Sequence, residues 1–150
     1  MRTSTSLQLT LAEGMAWGGL LRSHARLTRV LDAEMRAAHD TPLTWFDALF
    51  QLGRTPDAAL RLTELGDRLL LTPSGCSRLV DRLEIESLVR RQSHPGDGRA
   101  IVVKLTARGR RRLMQLHSTH VAGIRRHFLA RLSSDDLETL RGVWAKLLVD

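Results

Sequence analysis

The chain has no tyrosine, one cysteine and four prolines among 150 residues, and its six remaining aromatics are three Trp and three Phe. A lone Cys76 excludes an intrachain disulfide framework and fits a reducing cytoplasm. No apolar run approaches the roughly 20 residues a membrane span requires. The opening "MRTSTSLQLTLAEGM" is too polar for the core of a secretory signal, so export is not expected. Acids are also scarce: 16 Asp and Glu stand against 23 Lys and Arg, a net charge of +7. None of the arrangements G-x-S-x-G, H-E-x-x-H, P-loop or G-x-G-x-x-G occurs, and no carboxylate pair stands out, so an enzyme is not expected.

What is present is a basic segment. From Arg54 to Arg112 there are 13 basic and 7 acidic residues, a net +6, which leaves +1 for the rest of the chain. Such confinement fits a nucleic-acid module held in near-neutral scaffolding, although exposed arginines on an ordinary solvated surface give the same count. The densest part is "LVRRQSHPGDGRAIVVKLTARGRRR", residues 88–112, where apolar-containing runs at 88–92 and 99–105 flank a loop of His, Pro, Gly and Asp. The pattern predicts a basic hairpin.

Long helices are predicted on either side. Trp17, Leu20, Leu21, His24, Leu27, Leu31 and Met35 recur every three or four residues, which predicts a helix over about 9–38. At 1.5 Å per residue it would be about 45 Å long, more than so small a domain can cover, and a second subunit is the usual partner. Thr44 opens a second helix that carries Trp45, Ala48, Leu49 and Leu52 and stops at "LGRTPD". Leu113, Leu116, His120, Val121, Ile124, Phe128 and Leu132 mark a helix from Ala107 to about Leu132. Ser133 caps a last one, with Asp135 and Asp136 in its first turn and a stripe from Leu137 to Leu148.

"LTELGDRLLLTPSGCSRLVDRLEIESLV" carries the sharpest local signal. Thr63 is a candidate cap for a short helix through about Leu70. Thr72 at the N-cap and Pro73 at the first helical position start another, through about Glu86. Cys76, Leu79, Val80 and Leu83 share its inner face; Ser74, Ser77, Arg78, Asp81 and Arg82 share the outer one. Small hydroxyl residues let a helix end approach DNA closely, and arginines reach guanine or phosphate. Two short helices joined by a tight turn, the second polar outward, make a helix-turn-helix.

With "DGRAIVVKLTARGR" following it, the chain resembles the MarR/SlyA family of winged helix-turn-helix transcriptional regulators. The resemblance implies one mostly helical domain over 1–150 with a small β-hairpin. Its winged helix-turn-helix lobe would span about 44–105 and its dimerisation helices about 9–38 and 107–149. It implies a homodimer on a pseudo-palindromic double-stranded operator, commonly a repressor, with no cofactor and no membrane. Pro73–Glu86 would be the recognition helix, and Arg99 the wing arginine drawn to a narrow minor groove. Asp97 would hold the loop or orient an arginine. The DNA set is then Thr72, Ser74, Gly75, Ser77, Arg78 and Arg82 on the helix, with Arg91, Asp97 and Arg99 in the wing. Departures are Gly98 where a second wing basic residue is frequent, Ser87 where a helix-ending glycine is common, and Cys76 for an aliphatic residue.

Family members often hold small aromatic or anionic effectors in the cleft between the first two helices. By that resemblance Trp17, Leu21, His24, Trp45 and Leu49 form a candidate effector pocket; core or dimer packing explains the same residues. The alternatives are a winged DNA-binding protein without ligand response, or a metal- or redox-responsive regulator. For metal, His117, His120 and His127 share helical spacing, but no Cys, Asp or Glu lies between 107 and 131 to complete a shell. For redox, Cys76 faces inward and has no partner cysteine. "ARGRRR" at 107–112 either grips an anion or is solvated.

Overall fold

The computed structural model describes residues 8–148; residues 1–7, where the sequence predicts a tail, and 149–150 lie outside the described residues. The elements run α1 (Leu11–His39), α2 (Leu43–Gly53), β1 (Ala59–Arg61), α3 (Leu62–Arg68), α4 (Pro73–Ile85), β2 (Val89–His94), β3 (Asp97–Leu105), α5 (Ala107–His127) and α6 (Ser134–Leu147), with a 3-10 turn at Leu129–Arg131. This is a mostly helical fold with a small antiparallel sheet of order β1-β3-β2.

Local chemistry sets most boundaries. Thr10 and Glu13 form a reciprocal capping box at the start of α1, and Ser133 and Asp136 form another at the start of α6. Helix α5 stops at His127 and not near Leu132 as the stripe predicts; a 3-10 turn at Leu129–Arg131 then leads to the extended Ser133. Thr63 is not a cap. Pairing of Arg61 with Val102 holds Arg61 extended, and α3 begins at once on Leu62 without a side-chain cap. Ser87 is left-handed (φ 57°) where α4 gives way to β2, the conformation a glycine would adopt more cheaply.

Phe46, Leu49, Leu52, Leu65, Val80, Leu83, Val89, Val103 and Leu116 are fully buried and join α2, the helix pair, the sheet and α5 in one core. Helices α1 and α5 approach closely at Gly123, where a Cβ would meet Leu31 at 2.6 Å. Beside it, Glu34 accepts hydrogen bonds from Arg126 (2.6 Å) and His127 (2.7 Å). The apolar stripes toward the start of α1 and the end of α6 find no cover among the described residues. Leu11 is 82% exposed, Trp17 57% and Leu147 64%.

Candidate nucleic-acid interface

The α3–α4 pair is tight because its crossing residues are small. Gly66 packs on Cys76, where a Cβ would sit 3.4 Å from the cysteine Cβ. Leu70 takes the left-handed conformation (φ 54°) in the turn, and Leu71 N–H donates back to Gly66 O at 2.9 Å. Thr72 Oγ1 then accepts the Gly75 N–H at 3.1 Å and starts α4, with Pro73 contributing no competing donor. Cys76, Leu79, Val80 and Leu83 are buried as their spacing predicts. Thr72, Ser74, Arg78 and Arg82 are exposed, with Ser77 and Gly75 half-buried beside them. The N-terminal half of α4 therefore presents hydroxyls and guanidinium groups on one open face.

The wing begins with β2 and turns at Pro95 and Gly96. Asp97 Oδ1 accepts the Arg99 N–H at 3.1 Å, a short loop closure that fixes the backbone from which the exposed Arg99 side chain extends. Gly98 is exposed, and a Cβ built on it would touch nothing within 4 Å. Arg99 lines a shallow groove with Arg61 and Thr63. Sequence reasoning missed Arg61 because β1 is only three residues long and its pairing partner lies more than forty residues away.

Arg91 occupies a different place from its neighbours in the expected DNA set. Half-buried, it bridges Asp81 (2.7 Å) and Glu84 (2.8 Å), and its Nη2 donates to the Ser77 carbonyl at 3.0 Å. Its backbone N–H donates to Glu84 as well (2.8 Å). These bonds hold the Glu84 carboxyl below its usual range. Arg91 thus ties the wing to the outer face of α4, and it does not stand open beside Arg78 and Arg99.

The other candidate sites are scattered. Leu49 is fully buried in the core, while Trp17, Leu21 and His24 are exposed along α1. Trp45 lines a groove of about 650 Å³ at the junction of α1, α2 and α5, which none of the other four lines. Burial pushes the Cys76 thiol pKa up, which keeps it protonated, and its Sγ sits 3.6 Å from Leu62 O. His120 packs on Phe46 at a tilt of 34° with ring centroids 4.3 Å apart, and its buried Nδ1 has no hydrogen-bond partner among the described residues. Burial, and then His117, push its pKa down. His127 is engaged by Glu34. No group of three or more His, Cys, Asp or Glu among the described residues is arranged to hold a metal ion. None of the described helices is long and apolar enough to cross a membrane.

The start of α5 is welded to the lobe. Thr106 Oγ1 accepts the Gly109 N–H (2.9 Å) and lies 2.7 Å from Ser87 O. Arg112 Nη2 donates to His39 O (2.7 Å) and Thr41 Oγ1 (2.6 Å), which binds α5 to the α1–α2 corner. Of the basic run at 107–112, this arginine is structural, whereas Arg108, Arg110 and Arg111 are exposed.

Comparison with known proteins agrees with this geometry. The MarR family model matches residues 39–100. A curated relative, an uncharacterized HTH-type transcriptional regulator YkoM of Bacillus subtilis (strain 168), is 31% identical over 80 residues, 53% of this chain. The match spans about half (51%) of that protein's length. Among solved structures, AbsC, a MarR family transcriptional regulator from Streptomyces coelicolor, is similar with a TM-score of 0.85 and 26% identity, covering 95% of both chains. Sco3205, a MarR family transcriptional regulator from the same organism solved in complex with DNA, is similar with a TM-score of 0.84 and 28% identity. That match covers 93% of this chain and 88% of the other. Each of these relatives is named as a transcriptional regulator.

Proposed function

We propose that this chain is a MarR-family winged helix-turn-helix protein, a homodimeric repressor that binds a pseudo-palindromic operator. The observation that carries the reading is the joint presentation of Ser74, Ser77 and Arg78 on α4 with Arg99 on the wing, α4 and the wing strand being clamped together by Arg91. A helix of this kind reads base edges in the major groove, and an arginine beside it enters the minor groove. The DNA complex of the similar Sco3205 supports the same choice of partner.

The uncovered apolar faces of α1 and α6 support a second copy as the other partner. The chain then acts as one domain, with the lobe of 44–105 spaced from its copy by α1, α5 and α6. Two lobes at a fixed separation match two half-sites, so the dimer is what turns modest contacts into a specific site. An effector held at Trp17, Leu21 and His24 needs that second copy as a wall, since one chain leaves all three open. We place the protein in the cytoplasm with its DNA.

Sedimentation of the free protein and fluorescence anisotropy with its own upstream DNA test the reading together. Dimers that bind one site in the presence of excess unrelated DNA are the expected result. Monomers, or binding erased by the competitor, would remove it.

A further inference from the structure

The sheet has two faces, and the core and α4 use only one. Leu60 opposite Val103 and Val89 opposite Leu105 are buried on it, and Arg91, two residues after Val89, reaches α4 from the same side. On the outer face the register sets Arg90 of β2 directly opposite Lys104 of β3, and Arg61 of β1 opposite Val102. No Asp or Glu lies on the paired part of this face. Arg61 and Arg90 are exposed and Lys104 is half-buried, and none of the three has an ion pair among the described residues. Like charges directly opposite one another repel, so the Arg90–Lys104 pair opposes folding unless an anion lies over it.

A second observation lies where this face meets the wing. His94 Nδ1 accepts the Gly96 N–H at 3.0 Å, so the neutral ring carries its hydrogen on Nε2, 3.4 Å from Arg61 Nη2. Both of those nitrogens are then donors, and neither can accept from the other. An oxyanion oxygen set between them takes both hydrogens.

We propose that this outer face holds the phosphate backbone of the DNA that flanks the operator, so that the duplex beyond each wing is drawn along the sheet. The proposal rests on the operator-binding reading above and adds a surface to it. Continuity and charge select the occupant. Arg61 lines one groove with Arg99, so a strand leaving the wing arginine meets Arg61 and His94 next. Arg90 lies four residues before His94 on β2, about 13 Å along the strand, and one DNA strand carries about four charges over that length. A protein partner would need an apolar anchor, but Val102 is buried and Ala59 is small. Because the contacts are to phosphates, this surface is blind to sequence, and it requires the flanking duplex to bend toward the protein.

Fluorescence anisotropy of the full chain tests this with two duplexes: the operator trimmed to its protected region, and the same site with about 15 base pairs of unrelated sequence on each side. The extended duplex should bind at least about tenfold tighter at low salt, with a salt slope steeper by at least about two units. Arg90→Gln/Lys104→Gln should erase both gains and leave the trimmed duplex unaffected. The charge-keeping Arg90→Lys/Lys104→Arg should retain them, which separates charge from folding. Energy transfer between labels on the ends of the extended duplex should rise on binding of the parent and not of the double Gln variant. Equal affinity for the two duplexes, or a gain that survives in the double Gln variant, would overturn the proposal and leave operator binding standing. A gain that depends on the flanking sequence would overturn the phosphate contact in the same way. Failure to bind either duplex would overturn the operator reading and this surface with it.

Discussion

Glu84 on α4 receives Arg91 from the wing twice, from its guanidinium and from its backbone N–H, each at 2.8 Å. One carboxylate therefore sets the angle between the two elements proposed to enter adjacent DNA grooves. Asp81 and the Ser77 carbonyl complete the clamp on the same guanidinium.

Arg91→Ala should weaken operator binding by misaligning wing and helix while leaving the salt dependence of binding unchanged. The partners are partly exposed, so the stability loss should be about 1 kcal/mol. Binding isotherms at several salt concentrations read the difference. A salt slope reduced by about one unit would put Arg91 on a phosphate instead.

Arg99→Ala should lower affinity on every DNA sequence and reduce the salt slope by about one unit, because a minor-groove arginine also displaces counterions. Arg78→Ala should change the ranking of operator variants, at about 1–3 kcal/mol for the base pair it reads. Equal, sequence-blind losses from both would refute the division of labour between wing and helix.

Asp47, half-buried on α2, has its pKa raised to about 6 by burial alone. In the unfolded chain the carboxyl titrates near 3.9. Between these values the folded state binds the extra proton, so this group's contribution to stability falls as pH rises from about 4 to 6 and is constant above. Asp47→Asn should raise stability at pH 7.5, by at most about 3 kcal/mol, and give little at pH 4. Thermal melts at the two pH values check it, and an equal gain at both would show that ionisation is not the cause.

Gly109→Ala should be strongly destabilising. A Cβ there would stand 2.0 Å from the backbone oxygen of Leu88, and backbone cannot swing aside as a side-chain tip can. Denaturant melts should show a loss of several kcal/mol, on the order of the large core-strain class. A change under about 0.5 kcal/mol would mean that α5 does not press on the backbone of Leu88, at the α4–β2 junction.

Features governed by neighbours along the chain are legible in the residue pattern alone. Thr72 and Pro73 start α4, and the i, i+3, i+4, i+7 set from Cys76 to Leu83 is buried, because both depend on helix geometry alone. The left-handed conformation of Ser87 is expected only through the family resemblance, which places a helix-ending glycine there. Long-range pairings are not legible. β1 exists only because Leu60 finds Val103, and three residues carry no period of their own. Charge counting cannot separate Arg91 from Arg99: the guanidinium of one meets carboxylates seven and ten positions back, and that of the other has no ion pair among the described residues. The stripe through Trp17 and Leu21 predicts a covered face, and none of the described residues covers it.

The most direct test of the central claim is a footprint of the protein on its own upstream DNA. The account predicts protection of a palindrome whose half-sites lie about one helical turn apart, lost in Arg99→Ala at moderate salt. Protection that grows with DNA length and prefers no position would contradict it.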